Sequence, residues 1–494
     1  MPSTTQHVSF QAVAPPVAEW KDVPLTGDPY GNVDEIELSE TSPVVQDAYV
    51  DELDCTVKRP GLTSFVDTTT AAGCDGLYWW DQQTTAIVVS NGRVWKITDS
   101  AGTKTELTGT TMAVGTLVTF ATDGTNLIMA NGGRMVLHVA GTSTIADMAD
   151  IDAPTDVTHV AFIDTYILAN STGNRGRFYY SDVGSSTSWN SLSFATAEGS
   201  PDVLTAIGVS YREIALVGRE SVEIWVDDGV TPFSRLPGAF IQRGCAAPYS
   251  FQQVSDPKLG DTWMWLDENR RFVKLAQRTP VYISNPYDKL IQGLLTVDNA
   301  RAMVTNINGW PIYLISFPLA GKTLAYNFQK EQWMQWGYWD ANIADYTRYR
   351  GQVYCYARGW NLHLMGDHSN GLIYTTDRST FSDNGAAIRT LRRTGFITHG
   401  SLNLKRSQQL RIRCKRGVAT ATVIAPLLTL RWRDRSGAWS ADHQGSLGEV
   451  GQTYFEAVFN RLGEYRARQY ELIHSDATDC IIVSAQELVK TGPR

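Results

Sequence analysis

Few residues in this sequence have the types and spacing that catalysis requires. The adjacent carboxylates Asp267 and Glu268 would suit a glycosidase, which needs two such groups at a defined separation in one pocket. His363 and His368 lie close together in a predicted hairpin, but no third metal ligand accompanies them. Glycine patterns similar to nucleophile elbows and phosphate loops fall in predicted hairpin turns, without the strand-to-helix context that such sites need. We therefore predict no enzyme activity, no metal site and no cofactor.

An aromatic segment is a second place where chemistry is conceivable. Trp333, Trp336, Tyr338 and Trp339 lie within seven residues of one another. Rings at this density stack on sugars or on nucleic-acid bases. Strand alternation places Trp333 on one face and Trp336 with Tyr338 on the other, which the packing of one sheet against another also requires. A stacking surface and core packing both fit the sequence.

The most informative charged segment lies between Arg389 and Arg416, where nine basic residues occur without a single acid. In an extended strand, alternate residues share a face, so Arg411, Arg413 and Lys415 lie together. Such a face suits a phosphate backbone or an acidic protein surface, and a solvated strand face is the alternative. Because unpartnered like charges repel one another, we predict a counter-charged partner for this segment. The candidate interface residues are Arg389, Arg392, Arg393, Arg411, Arg413 and Lys415.

Residues 28–54 have the opposite charge, with nine acids and no Lys or Arg. Prolines interrupt residues 1–60, and no apolar periodicity is sustained there. This composition is typical of an extended arm, which either docks on a basic partner or forms a solvated acidic loop. The candidate docking residues are Asp34, Glu35, Glu37, Asp51, Glu52 and Asp54.

Length and composition limit the elements that position these residues. A chain of 494 residues exceeds a single small domain, and with 43% hydrophobic and 19% charged residues it should fold. A formal charge of -8 excludes a generalised polycation that grips nucleic acid. We expect no signal peptide and no membrane span, because no apolar run is long enough. The six cysteines are scattered, so we predict free thiols.

A repeat of short strands predicts the fold. Between Gly61 and about Asp377, strands rich in Val, Ile, Tyr and Trp alternate with Gly, Asn and Asp turns. Equivalent points recur at steps of 42 to 52 residues, and they are Val94, Val136, Phe178, Ile224, Phe272, Leu324 and Leu372. This period is typical of four-stranded β-propeller blades. We predict an all-β protein, a propeller of six or seven blades with an extended N-terminal arm and a C-terminal β unit.

The predicted domains are an acidic arm over residues 1–60, a β-propeller over residues 61–380, and a C-terminal unit over residues 381–494. Strand candidates in the last segment suffice for a small sandwich or for a set of closing blades.

Several strings in the sequence carry a resemblance to a known family. The specific ones are Arg243-Gly-Cys-Ala-Ala-Pro-Tyr-Ser250 and Arg461-Leu-Gly463-Glu-Tyr-Arg466, and Arg59-Pro-Gly-Leu62 precedes the first blade. Together with Trp263-Met-Trp-Leu-Asp267 and Leu430-Arg-Trp432, they occur in an order that resembles the packaged-DNA stabilisation, or tail nozzle, proteins of short-tailed bacteriophages. The resemblance runs over most of the chain.

The resemblance implies a structural protein of the virion tail, assembled in the host cytoplasm, without catalysis. It implies a homo-oligomeric ring, commonly of six copies, below the portal and adaptor, which closes the DNA channel and retains the packaged DNA until ejection. Implied partners are the adaptor or head-to-tail connector, a tail fibre, spike or needle protein, and double-stranded DNA in passage. The basic residues named above would then contact a protein partner or face the channel. The alternative function is a polysaccharide-binding or polysaccharide-degrading tail propeller.

Overall fold

The computed structural model of the protein describes residues 17–28, 43–174, 176–197, 199, 202–229, 232–283, 286–415, 417–435, 437–452 and 455–492. Contacts divide these residues into two compact units. The propeller unit comprises Gln46–Glu52 and Lys58–Arg389. The sandwich unit comprises the described parts of Met1–Val45, Leu53–Val57 and Thr390–Arg494. Strands dominate both, which confirms the all-β class.

The described residues of the propeller unit form seven blades, each with four antiparallel strands. Blades 1 and 2 join into one eight-stranded sheet through a parallel pair of their outermost strands. Blade 1 contains Cys74–Trp80, Thr85–Ser90, Arg93–Ile97 and Lys104–Gly109. Blade 2 contains Thr119–Thr122, Asn126–Ala130, Val136–Val139 and Thr144–Asp147. Blade 3 contains Val160–Ile163, Tyr166–Asn170, Arg177–Ser181 and Trp189–Thr196. Blade 4 contains Leu204–Ser210, Glu213–Gly218, Val222–Val226 and Ser234–Ile241.

The remaining blades follow the same order along the chain. Blade 5 contains Gln252–Asp256, Gly260–Leu266, Phe272–Ala276 and Thr279–Tyr282. Blade 6 contains Arg301–Ile307, Trp310–Phe317, Lys322–Asn327 and Gln332–Asp340. Blade 7 contains Gly351–Ala357, Leu362–Asp367, Leu372–Asp377 and, from the start of the unit, Gly61–Asp67. The helical elements among the described residues are one short α-helix, Asp288–Gln292, and the 3-10 turns Asp81–Gln83, Pro248–Ser250 and Pro318–Ala320.

Blade 7 closes the propeller, because its fourth strand comes from the beginning of the repeat. Gly61 pairs with Asp377 and Asp67 pairs with Leu372, in antiparallel register. The predicted propeller is thus confirmed, with seven blades. Each of the seven equivalent points read from the sequence lies on the third strand of a different blade.

Apolar side chains from successive blades pack together and hold the ring. Ile224 of blade 4 belongs to one cluster with Trp263 and Trp265 of blade 5. Trp333 of blade 6 packs on Phe272 of blade 5, with ring centroids 4.4 Å apart. Aromatic rings bury large areas, so these contacts are a main source of stability for the blades.

The sandwich unit has two sheets around one apolar core. One sheet joins Ala18–Asp22, Thr56–Lys58, Ile481–Thr491, Lys405–Cys414 and Phe455–Tyr465. The other joins Thr390–Arg393, Arg468–His474, Leu427–Asp434 and His443–Ser446. Leu410 and Ile412 from the first sheet share a core with Leu430 and Leu472 from the second. Short strands elsewhere in the chain are Val44–Gln46, Ala48–Val50, Asp345–Arg348, Ser382–Asp383 and Ala386–Ala387.

The described stretches of residues 1–60, which are 17–28 and 43–60, pack within their own chain. Val23 and Leu25 enter the core of the sandwich unit, and Ala48, Tyr49 and Val50 are buried. The reason is local: strands of only three to five residues fit between the prolines, and their apolar side chains suffice for burial. The domain boundaries at 60 and 380 stay predictions.

Candidate functional site

A cavity runs along the axis of the propeller unit. It has a volume of about 660 Å³, and the innermost strands of all seven blades contribute to its wall. Lining side chains include Tyr78 of blade 1, Phe120 of blade 2, Phe162 of blade 3, Gln253 of blade 5 and Tyr354 of blade 7. The wall combines aliphatic and aromatic side chains with a few amides.

Polar groups from different blades contact one another near the residues where the innermost strands begin. Arg301 of blade 6 lies 3.9 Å from Asp75 of blade 1 and donates a hydrogen bond to the carbonyl of Gly115. Gly115 N–H in turn donates to the Asp75 carboxylate over 2.8 Å. Burial raises the pKa of Asp75, and the hydrogen bond from Gly115 and the charge of Arg301 oppose this effect. Tyr249 donates to the carbonyl of Leu117 from the same region.

The axial cavity is too small for duplex DNA. Its volume of about 660 Å³ lies within the range of about 300–1,000 Å³ that is usual for small-molecule sites. The major groove of B-DNA alone is about 12 Å wide and about 8.5 Å deep, so a duplex needs far more space than this. A single propeller of this size therefore cannot contain a duplex on its axis.

The first residue of the string Arg59-Pro-Gly-Leu62 is the centre of a buried ion network. The Arg59 side chain is fully buried and donates to Asp47 Oδ1 over 2.7 Å and to Asp383 Oδ2 over 2.6 Å. It also donates to the carbonyl of Gly337 and lies 4.8 Å from the ring centroid of Tyr349. Burial opposes its charge, but the carboxylates outweigh this cost and raise the pKa of Arg59. The network is structural, and Asp47 is one of the nine acids counted above.

The string Arg243–Ser250 connects blade 4 to blade 5. Gly244 N–H donates to Glu268, and the carbonyl of Gly244 accepts from the Trp265 indole over 2.9 Å. A Cβ on Gly244 would lie 1.9 Å from the carbonyl oxygen of Arg219, so only glycine fits there. Ser250 Oγ accepts from the N–H of Leu266. The residues that carry the resemblance therefore fix the geometry of the blades.

The basic residues at the end of the propeller repeat have different environments. Arg389 belongs to the propeller unit, where its guanidinium lies 4.1 Å from the ring centroid of Trp339. The other five candidates belong to the sandwich unit. Arg392 is 1% exposed and donates to the carbonyl of Pro24. Arg393 forms an ion pair with the buried Glu471.

Arg411, Arg413 and Lys415 are exposed and lie along one strand and the residue that follows it. They alternate with the buried Leu410, Ile412 and Cys414. The Arg411 guanidinium lies 4.5 Å from the ring centroid of Trp20, and Arg413 is 3.4 Å from Glu456. Of the six candidate residues, these three share a surface, whereas Arg392 points into the fold.

The acidic candidates are only partly described. Asp34, Glu35 and Glu37 lie outside the described residues. Asp51 is half-buried, and Glu52 accepts a hydrogen bond from the Trp310 indole over 2.7 Å. Asp54, in the sandwich unit, is exposed, and its carbonyl accepts from Gly27 N–H.

The residues considered for catalysis or metal binding have structural contacts. Asp267 accepts from the N–H groups of Asn269 and Arg271, which caps a turn of blade 5. His363 stacks on Tyr356, with ring centroids 4.7 Å apart, and its Nδ1 is hydrogen-bonded to the Tyr354 hydroxyl. Among the described residues, no group of His, Cys, Asp and Glu side chains could hold a metal ion.

Trp333 and Trp336 are buried, as core packing requires. Trp336 packs on Tyr349, with ring centroids 5.5 Å apart. No helix in the described part of the chain is long and apolar enough to cross a membrane.

The sequence did not reveal an arginine cluster on the sandwich unit. The guanidinium groups of Arg393, Arg431 and Arg433 lie 5.3, 5.1 and 4.8 Å from the ring centroid of Trp439. Arg393 and Arg431 share the buried carboxylate of Glu471. The alternation Arg431-Trp432-Arg433 in a strand was the available signal, because it places both arginines on one face.

Comparisons with known proteins show what the chain is similar to. Among solved structures, the computationally designed Ika8 protein is 9% identical, with a TM-score of 0.40, over 64% of this chain and 100% of its own. The extracellular domain of the hybrid two component system BT4673 from B. thetaiotaomicron is 11% identical, with a TM-score of 0.44, over 71% of this chain and 43% of its own. No curated protein matches the chain.

A family match covers most of the propeller. Residues 43–381 match the phage stabilisation family described as bacteriophage P22 Gp10, beta-propeller. This range contains all seven blades and the string Arg59–Leu62. The resemblance stated from the sequence is therefore confirmed, and the chain belongs to this family of structural phage proteins.

Proposed function

We propose that this protein is a non-enzymatic nozzle component of a short phage tail, in which a ring of copies surrounds the DNA channel. Family membership supports a role in the virion. The observation that supports the ring is the axial cavity, whose volume of about 660 Å³ is that of a small-molecule site and is too small for a duplex. A channel for DNA then requires several copies around a common axis. Closed rings form when one surface of each copy binds a different surface of the next copy.

The ring has, in this proposal, six copies below the adaptor or head-to-tail connector, and it carries a tail fibre, spike or needle. It retains packaged DNA until ejection and is assembled in the host cytoplasm. These details extend what the resemblance implies.

The exposed face of Arg411, Arg413 and Lys415 is the proposed contact with a counter-charged surface. An acidic protein segment is the favoured partner, because tight phosphate contacts would obstruct sliding DNA. Residues 28–54 of a neighbouring copy have the required charge, with Asp34, Glu35 and Glu37 as the densest group. Charge complementarity of this kind gives specificity and salt sensitivity to an assembly.

The mass of the assembled protein tests the ring. Native mass spectrometry and electron microscopy of the purified chain, alone and with its adaptor, should show closed rings of one copy number. A protein that stays monomeric at every concentration and with the adaptor present would contradict the proposal.

Charge reversal tests the interface. We expect Arg411→Glu, Arg413→Glu, Lys415→Glu to abolish ring or tail assembly while the circular dichroism spectrum stays unchanged. The matched control is Arg212→Glu, Lys258→Glu, Arg358→Glu, which reverses three exposed cations of the propeller unit with the same change in charge. Assembly of the control and failure of the first variant support the interface.

A reciprocal variant identifies the partner. If the acidic segment is the partner, assembly should be restored when the charge-reversed basic residues are combined with Asp34→Lys, Glu35→Lys and Glu37→Lys. Full particles that leak DNA, without rescue, indicate a channel role instead. Normal particles with normal DNA retention would contradict the interface and would indicate that the three basic residues form only a solvated strand face.

A further inference from the structure

A second pocket opens beside the axial cavity, at the ends of the innermost strands of blades 5, 6 and 7. It has a volume of about 540 Å³, within the usual range for small-molecule sites. Its main side chains are Gln253, Ser255, Asn306, Tyr354, Tyr356 and His363. Gln253 and Tyr354 also line the axial cavity, so the two spaces are adjacent.

Three rings form one wall of this pocket. Tyr356 and His363 face each other across two strands of blade 7, with ring centroids 4.7 Å apart and planes 28° apart. The Tyr354 ring centroid lies 6.0 Å from that of His363, and the Tyr354 hydroxyl is hydrogen-bonded to His363 Nδ1 at 2.7 Å. Tyr356 is 41% exposed, so its ring offers a face to a ligand.

The opposite side of the pocket is polar and uncharged. Asn306 Oδ1 accepts a hydrogen bond from Gly309 N–H over 2.7 Å, and its Nδ2 has no acceptor among the described residues. Gln253 Nε2 donates to Ser210. No Asp, Glu, Lys or Arg belongs to the described residues of the pocket wall. Burial lowers the pKa of His363, which keeps its imidazole neutral near neutral pH.

We propose that this pocket binds a neutral hexose unit of a glycan. Aromatic faces pack against the C–H surface of a sugar ring, and carboxamides and hydroxyls meet its alcohol groups. The absence of charged groups from the described wall favours a neutral sugar over an acidic one. Binding needs only one propeller, so the inference goes beyond the ring and does not depend on it.

Saturation-transfer NMR on the full chain tests the proposal, with D-glucose, D-galactose and D-mannose as probes and D-galacturonate as the acidic counterpart. We expect transfer to at least one neutral sugar and weaker transfer to galacturonate. Tyr356→Ala should weaken that binding about tenfold through loss of ring packing. The matched control is Tyr211→Ala, which removes an 84% exposed tyrosine outside the pocket and should leave binding unchanged.

Asn306→Ala provides a second variant that changes the polar side, and it should also weaken binding if the folded state is retained. No transfer to any neutral sugar, or equal transfer to the Tyr356→Ala protein, overturns the proposal. Failure here with intact rings would leave the proposed nozzle function unaffected.

Discussion

Arg59 and Asp383 lie 324 residues apart in the sequence and form a two-point ion pair inside the propeller unit. Arg59 Nη1 donates to Asp383 Oδ1 over 2.9 Å, and Nη2 donates to Oδ2 over 2.6 Å. Asp383 also pairs with Leu62 of the strand that completes blade 7. The two ends of the propeller sequence are thus joined by charge as well as by strand pairing.

Removal of Arg59 should strongly destabilise the protein. Arg59→Met leaves the buried carboxylates of Asp47 and Asp383 without a counter-charge, and such a loss costs about 3–5 kcal/mol. The free energy of unfolding from guanidinium titrations measures the effect. The control is Arg93→Ala, which removes an exposed ion pair with Glu106 and should change stability by less than about 1 kcal/mol. Equal effects of the two variants would show that the buried network contributes nothing.

The closing strand should not tolerate a side chain at its first residue. A Cβ on Gly61 would lie 2.3 Å from the carbonyl oxygen of Ser382 and 2.8 Å from its nitrogen. Gly61→Ala should therefore lower the free energy of unfolding by about 1–3 kcal/mol, as overpacking does.

Gly133→Ala is the control for Gly61→Ala. No atom lies within 4 Å of a Cβ placed at Gly133, and its φ is outside the left-handed region. The expected change is less than about 1 kcal/mol. Thermal and chemical denaturation of both variants decide the matter, and a Gly61→Ala protein as stable as the Gly133→Ala protein would contradict the expected strain.

The repeat was predictable from the sequence because it depends on local patterns. Third strands such as Val222–Val226 and Phe272–Ala276 are apolar and lie between turn residues, so their spacing is visible in one dimension. The pairing of Gly61–Asp67 with Leu372–Asp377 was not predictable in this way, since it joins distant segments whose patterns resemble any other strand.

The charged candidates were harder to place. Counting charges between residues 389 and 416 treats Arg392 and Lys405 like their neighbours, yet both are 1% exposed. The carbonyl of Pro24, 368 residues away in the sequence, accepts from Arg392, and the carbonyls of Ser401 and Asn403, just before the strand, accept from Lys405. Neither kind of contact is visible in a count of charges, whereas the exposed alternation of Arg411 and Arg413 follows from strand geometry alone.

The thiols should react slowly in the native protein. None of the six cysteines forms a disulfide, and burial raises the pKa of Cys74 and Cys355 to about 12 and that of Cys245 to about 11. Because the thiolate is the nucleophile, a thiol reagent at pH 8 should label these residues only slowly. In guanidinium without reductant, six thiols should react at once. Fewer than six would reveal a disulfide, and fast native labelling of Cys74, Cys245 or Cys355 would contradict their burial.

The stability of the propeller should fall as the pH drops below about 6.5, in part through His159. Burial lowers the pKa of His159 to about 4, and its ring stacks on Tyr249 with centroids 5.2 Å apart. Between pH 6.5 and 4 the unfolded chain binds a proton that the folded chain does not, so stability is present at neutral pH and decreases on acidification. From pH 7.5 to pH 5 this one group contributes a loss of about 2 kcal/mol.

His159→Phe keeps a ring against Tyr249 and removes the titration. Urea unfolding of both proteins at pH 7.5 and pH 5 should therefore show a smaller loss of stability in the variant, by about 2 kcal/mol. His443→Phe, at an exposed position of the sandwich unit, controls for the general effect of removing a histidine and should leave the loss as it is in the unsubstituted protein. Equal losses of stability in His159→Phe and in the unsubstituted chain would contradict the prediction. They would mean that His159 is protonated as readily in the folded state as in the unfolded state, so that burial does not lower its pKa.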